Sequence, residues 1–165
     1  MTSFIDGLLE YSRAVRVNRE TKIVDVQKLL QEIIDSLAPP PEFVININGK
    51  MPTIETKALS LQQVFSNLIS NAIKHHHRHD GLIDISVQEN PKEYQFSVAD
   101  DGVGIALENQ KKIFLIFQTL TARDQAENTG IGLSIVKKII DEQGGKIWLE
   151  SQLNQGTTFY FTWVK

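Results

Sequence analysis

The chain has no cysteine, which excludes disulfides and every zinc site built on thiolates and leaves the compartment open. It also lacks any apolar run long enough to span a bilayer, and no signal peptide is expected ahead of the fold. Neither sign of charge dominates: 17 basic and 20 acidic residues are interspersed, and the net charge of −3 argues against a nucleic-acid surface. Internal repeats and low-complexity tracts are missing as well. Two phosphate-binding signatures fail on specific residues. The third glycine of GxGxxG would fall at Leu107 for one glycine turn and at Ile135 for the other, and no GxxxxGK[ST] occurs. Rossmann and P-loop folds are thereby excluded. What remains is a chain of 165 residues, 41% hydrophobic, able to bury one full core.

Three segments carry chemistry. The first contains NLISNAIKHH from Asn67. From Leu61, the apolar residues Leu61, Val64, Phe65, Leu68, Ile69, Ala72 and Ile73 form one helical stripe, so Gln63, Asn67, Asn71 and Lys74 share the other face. Asparagine is a poor helix former, and two of them one turn apart suggest a use beyond propensity. An amide oxygen is a hard, neutral ligand suited to Mg²⁺ that keeps waters and takes its other ligands from phosphates, with Lys74 adding a mobile positive charge. A plain solvated face is the alternative.

The second segment is DDGVGI from Asp100, after an alternating strand over 94–99. Gly102 and Gly104 permit the close backbone approach of a flat ligand beside the Asp100 carboxylate, which accepts from an exocyclic amine. Adenine offers that amine and guanine does not at the same position, so the arrangement favours ATP. An ordinary turn in which Asp100 caps local amides is the competing reading. In the third segment, TGIGLSIVKKI from Thr129, Gly130 and Gly132 precede a helix with the stripe Leu133, Val136, Ile139 and Ile140. Free amides at such a start bind phosphate.

On these motifs the chain resembles the catalytic, ATP-binding domain of sensor histidine kinases, within the group that includes gyrase, Hsp90 and MutL. The resemblance covers roughly residues 24–164. It implies an α+β fold, a two-layer sandwich of the Bergerat type with a mixed, mostly antiparallel sheet and helices on one face. It implies that Asn67 and Asn71 form the N box, with Asn71 the Mg²⁺ ligand and Lys74 near the phosphates. Asp100, Gly102 and Gly104, followed by Ile105, become the first glycine box, with Asp100 on the adenine amine. Thr129, Gly130, Ile131, Gly132 and Leu133 become the second. Phe114 and Phe117 match the F box as packing aromatics outside the direct binding set, and residues 118–129 become a lid over the nucleotide. Asn128 stands where many relatives carry glycine. Asn67 stands where hydrolysing members of the group carry a glutamate that activates water; an amide cannot act as a general base, which points to transfer onto a protein side chain.

The resemblance implies a cytoplasmic protein histidine kinase of a two-component system, dimeric at full length, with ATP and Mg²⁺ as cofactors. A phosphoacceptor histidine hairpin and a response regulator are its partners. A non-catalytic nucleotide-sensing or docking module is the alternative. The acceptor is expected upstream: His75, His76, His77 and His79 follow the N box, and the motif around His79 lacks the proline. These histidines read as a solvated helix end, with a zinc clip by His75 and His79 as the rival reading. In residues 1–20, Phe4, Leu8, Tyr11 and Val15 fall at heptad-like spacing and resemble the close of a hairpin helix plus linker, leaving 21–165 as the catalytic domain. Elsewhere, Asp25 can cap a helix through Leu37 that the prolines 39–41 end. Residues 43–48, 83–88, 146–150 and 158–164 read as strands, and Gly144 and Gly145 close the preceding helix.

Overall fold

The computed structural model describes residues 21–74, 76, 80–110 and 123–165, of which 109 and 123–132 are described in backbone only. In chain order the elements are β1 (Lys22–Asp25), α1 (Val26–Leu37), β2 (Val44–Ile47), β3 (Thr53–Thr56), α2 (Ala58–Lys74), β4 (Leu82–Glu89) and β5 (Glu93–Asp100). They are followed by α3 (Leu107–Gln110), α4 (Arg123–Glu142), β6 (Ile147–Gln152) and β7 (Gly156–Val164).

Local chemistry sets the helix ends. The Asp25 carboxylate accepts from the Lys28 amide at 3.3 Å, capping α1 as expected. Its far end closes on Ala38, left-handed at φ 46°, whose N–H donates to Ile34 O at 3.2 Å before the prolines begin. At the end of α4, Gly144 takes φ +78° and the Gly145 N–H donates back to Ile140 O at 3.0 Å, a glycine closure of the last turn.

Five strands form one sheet in the order β2-β4-β5-β7-β6, with β2 parallel to β4 and the other pairs antiparallel; β1 and β3 make a separate antiparallel pair. Alternation sends Ile83 and Ile85 of β4, Phe96 and Val98 of β5, and Phe159, Phe161 and Trp163 of β7 to one buried face. Helix α2 lies there, with Phe65 edge-on to Phe96 and to Phe161 at 5.2 Å each. Helix α4 packs beside α2 and buries Leu133, Val136, Ile139 and Ile140. The opposite sheet face carries Ser86, Ser97 and a stacked Trp148–Tyr160 pair 5.4 Å apart. The result is the expected two-layer α+β sandwich. Trp163 Nε1 donates to Thr56 Oγ1 at 2.8 Å, bolting the last strand to the β1–β3 pair.

One expectation is corrected. Gly130 and Gly132 do not precede a helix; they lie inside α4, which starts at Arg123. The residues Arg123, Gln125, Ala126 and Glu127 are good helix formers, and their propensity carries the helix through two glycines that each cost about 1 kcal/mol. Among the described residues no helix is long and apolar enough to cross a membrane.

Candidate functional site

The segment leaving a helix of one layer meets the end of a strand of the other, where His76 contacts Asp101. The helix is α2. Leu61, Val64, Phe65, Leu68, Ile69 and Ala72 are buried, and Ile73 is half-buried, so the periodic stripe faces the core and turns Gln63, Asn67 and Asn71 to a half-buried flank, with Lys74 exposed beyond them. Asn67 Nδ2 donates to Gln63 O at 2.9 Å, one turn back. Asn71 Oδ1 is buried and accepts no hydrogen bond among the described residues. A buried carbonyl oxygen normally finds a donor, and leaving it without one costs about 1–3 kcal/mol. An orphaned hard oxygen is what a cation ligand looks like before the cation arrives, so Asn71 fits Mg²⁺. Among the described residues no cluster of three or more His, Cys, Asp or Glu could hold a metal by itself. A single amide therefore suits an ion that brings its remaining oxygens from phosphate and water.

The strand is β5. Asp100 follows Phe96 and Val98 on the helix-facing side of the sheet, and its Oδ1 accepts from the Gly102 amide at 2.9 Å. Burial pushes the Asp100 carboxyl above its ordinary value; amide donation from Gly102 and Thr157 and the nearby His76 pull it back, and Asp101 adds to the rise. The capping reading of Asp100 is thus correct for one oxygen, and it aims the carboxylate.

The turn after Asp100 is bolted to the β6–β7 hairpin. The Ile105 amide donates to Ser151 Oγ at 2.7 Å, and Ser151 Oγ also meets Gly156 O at 3.1 Å and Thr157 Oγ1 at 2.8 Å. The Asn154 amide donates to Val103 O at 2.7 Å, and Gln110 Nε2 to Ile105 O at 2.9 Å. Gly104 sits at φ +77°, where a Cβ would lie 2.1 Å from Gln152 O. Both conformation and space demand glycine. Gly104→Ala is expected to destabilise the domain by about 3 kcal/mol, from left-handed strain plus displacement of the hairpin. Urea denaturation would measure it, and a loss below about 1 kcal/mol would contradict this account.

His76 corrects another expectation. It is not part of a solvated helix end: its side chain is fully buried, with Nε2 2.6 Å from Asp101 Oδ1 and the ring edge-on to Phe43 at 5.2 Å. Helix α2 stops at Lys74, which lets the chain turn His76 inward. His75, His77 and His79, with their zinc alternative, lie outside the described residues. So do residues 1–20, Phe114, Phe117 and the first part of the lid segment, 118–122. Thr129, Gly130, Ile131 and Gly132 are placed by backbone only, within α4, and Leu133 is packed in the core. The structure therefore places Asn67 and Asn71 on α2, and Asp100, Gly102, Gly104 and Ile105 at the end of β5 and in the turn after it, the two linked by the contact of His76 with Asp101. Sequence reasoning missed His76, Asp101, Ser151 and Thr157. Only the doubled acid at 100–101 gave a signal, since an Asp pair at a strand end asks for two sets of donors.

Residues 56–165 match the family model described as histidine kinase-, DNA gyrase B-, and HSP90-like ATPase. Cyanobacterial phytochrome A of Nostoc sp. is 40% identical over 164 residues, covering 98% of this chain and 21% of that protein. The adaptive-response sensory kinase SasA of Synechococcus elongatus is 30% identical over 167 residues, covering 96% of this chain and 43% of that protein. The chain thus spans less than half the length of these relatives. Among solved structures, the catalytic domain of histidine kinase ThkA superposes with a TM-score of 0.70 at 31% identity, covering 88% of this chain and 96% of that one. Full-length ShkA in complex with AMPPNP superposes at 0.77 and 24% identity, covering 98% of this chain and 35% of that one, a likeness of fold.

Proposed function

Since the chain belongs to the histidine kinase-, DNA gyrase B-, and HSP90-like ATPase family, an ATP-binding one, we propose that it transfers the γ-phosphoryl group of Mg·ATP to a histidine on a separate helical hairpin. One observation carries this reading. A half-buried, amide-oriented carboxylate at Asp100 and a buried amide oxygen at Asn71 that accepts no hydrogen bond among the described residues stand on a strand and a helix linked by the His76–Asp101 contact. They suit the two ends of one nucleotide.

In this reading Asp100 accepts from the adenine amine, and Gly102 leaves room for the ring. Asn71, with Asn67 beside it, holds Mg²⁺, which supplies charge neutralisation on the phosphates when bound. Lys74, exposed at the end of α2, reaches toward the same phosphates. No described group is placed as a general base at Asn67, and an amide there leaves water unactivated, so the acceptor is a nucleophile brought by another element. Thr129 to Gly132 contact the phosphates in the bound state, which requires the first turns of α4 to open. Residues 21–165 are the catalytic unit, and 1–20 the end of the dimerising hairpin helix plus linker. The parent protein works as a dimer in the cytoplasm, where ATP is, and passes the phosphoryl group to a response regulator.

The test is incubation of this domain with γ-labelled ATP, Mg²⁺ and a separately made cognate hairpin. Label on the hairpin histidine is the expected result. Tight Mg·ATP binding without transfer would favour a nucleotide-sensing module instead.

A further inference from the structure

A fully buried histidine is a costly filler, because its ring nitrogens need partners once out of water. At His76 the partner is Asp101, at 2.6 Å. The same Asp101 oxygen accepts from the Leu82 amide at 2.9 Å, and the Asp101 amide donates to Leu82 O at 3.3 Å. Asp101 is thus pinned on three sides to the start of β4 and to the segment leaving α2. The neighbouring glycines make room for this arrangement. A Cβ on Gly81 would fall 2.7 Å from the His76 ring and 2.5 Å from Phe43, and one on Gly102 would fall 2.9 Å from Asp100 Oδ1 and 3.4 Å from His76.

We propose that His76 is a positioning residue for adenine recognition: through Asp101 it fixes the turn that aims Asp100, and it ties that turn to the end of the helix carrying Asn67, Asn71 and Lys74. The proposal rests on the adenine role of Asp100. Asp100 is the last residue of its strand, where a backbone is otherwise free to fray, and hydrogen bonds weaken steeply with misalignment. A bridge from the next residue to the segment leaving α2 holds the direction of the carboxylate. Misplacement by about 1 Å at such a site costs on the order of a hundredfold.

The test compares ATP with inosine triphosphate, which carries a carbonyl where adenine carries the amine. Wild type is expected to prefer ATP by at least about tenfold, the worth of a hydrogen bond to a charged acceptor. His76→Leu is expected to bring the preference to within about threefold while leaving inosine triphosphate affinity unchanged, since only the amine contact is lost. His76→Gln, which can present an N–H near the position of Nε2, is expected to restore it. Equal losses for both nucleotides, or an unchanged preference, would reduce His76 to a packing residue and overturn the proposal. Should His76→Leu not fold, Asp101→Ala, which removes the oxygen that accepts from His76, carries the same test: a reduced preference supports the bridge and an unchanged one overturns it. If wild type shows no preference, or Asp100→Asn keeps it, the adenine reading itself falls and takes this inference with it.

Discussion

Asp100→Asn is expected to weaken ATP binding by about 10- to 100-fold, the loss of a hydrogen bond to a charged acceptor, while the domain stays folded. The substituted side chain retains an oxygen for the Gly102 amide, so the turn keeps its shape. What it loses is charge, and it can present an NH₂ to the adenine amine. Stability should move the other way. Burial raises the Asp100 carboxyl above its unfolded value, so its favourable contribution is complete below the unfolded pKa and is lost as pH rises through the folded one. At neutral pH the ionised carboxylate therefore burdens the fold, and the neutral asparagine relieves it. The variant should melt no lower than wild type at pH 7, with the difference vanishing on acidification as wild-type Asp100 becomes protonated. For the same reason wild-type ATP affinity should fall on the acid side earlier than an ordinary carboxylate would dictate. Calorimetric titration across pH, with thermal melts of both proteins, checks all of this. ATP binding within about twofold of wild type in Asp100→Asn would remove the adenine assignment.

Asn71→Ala should cut phosphoryl transfer by roughly a hundredfold or more, the scale of losing one preorganised charge-stabilising group. Its signature lies in metal dependence. Mg²⁺ should strengthen ATP binding to wild type, and that increment should disappear in the variant, while binding in EDTA stays nearly the same. Stability again opposes function. Removing a buried oxygen that has no partner among the described residues, and placing alanine in the last turn of α2, should raise the unfolding free energy by about 1 kcal/mol or more. A variant that is less stable and keeps its Mg²⁺ increment would show that Asn71 is structural. Both residues thus weaken the free domain, as groups kept for a ligand often do.

The periodic elements were legible because burial enforces their pattern. The α2 stripe, the strands of the main sheet, the Asp25 cap and the glycine closure at 144–145 each follow from short-range rules, and the structure carries them all. Strands β1 and β3 were not foreseen. Each has four residues, largely unburied, and they exist through mutual pairing and through Thr56 beneath Trp163, a contact spanning 107 positions. The helix α4 starts earlier than its glycines suggest, because Gly130 and Gly132, expected as a turn that opens it, lie within a helix that the preceding residues are able to carry. At the site, the asparagines and the DxGxG turn stood out as residue types in the wrong place for mere structure. His76 did not, since nothing in a run of histidines says which one turns inward; that depends on Phe43, Gly81 and Asp101 arriving from three other parts of the chain.

The pairing of β5 directly with β7 has a further consequence. Asp100 sits opposite Thr157, so the end of β5 is clamped to the start of β7, while β6 joins the sheet on the far side of β7. The chain between them, which includes α4 and β6, has its two ends held side by side. Loop-closure entropy rises only slowly with length, by about 0.6 kcal/mol per doubling. The length of the stretch between Gln110 and Arg123 can therefore change at little cost to the strands that hold the carboxylate. The paired strands are a fixed frame, and the length of chain strung between their ends is open to divergence in evolution and to grafting in the laboratory.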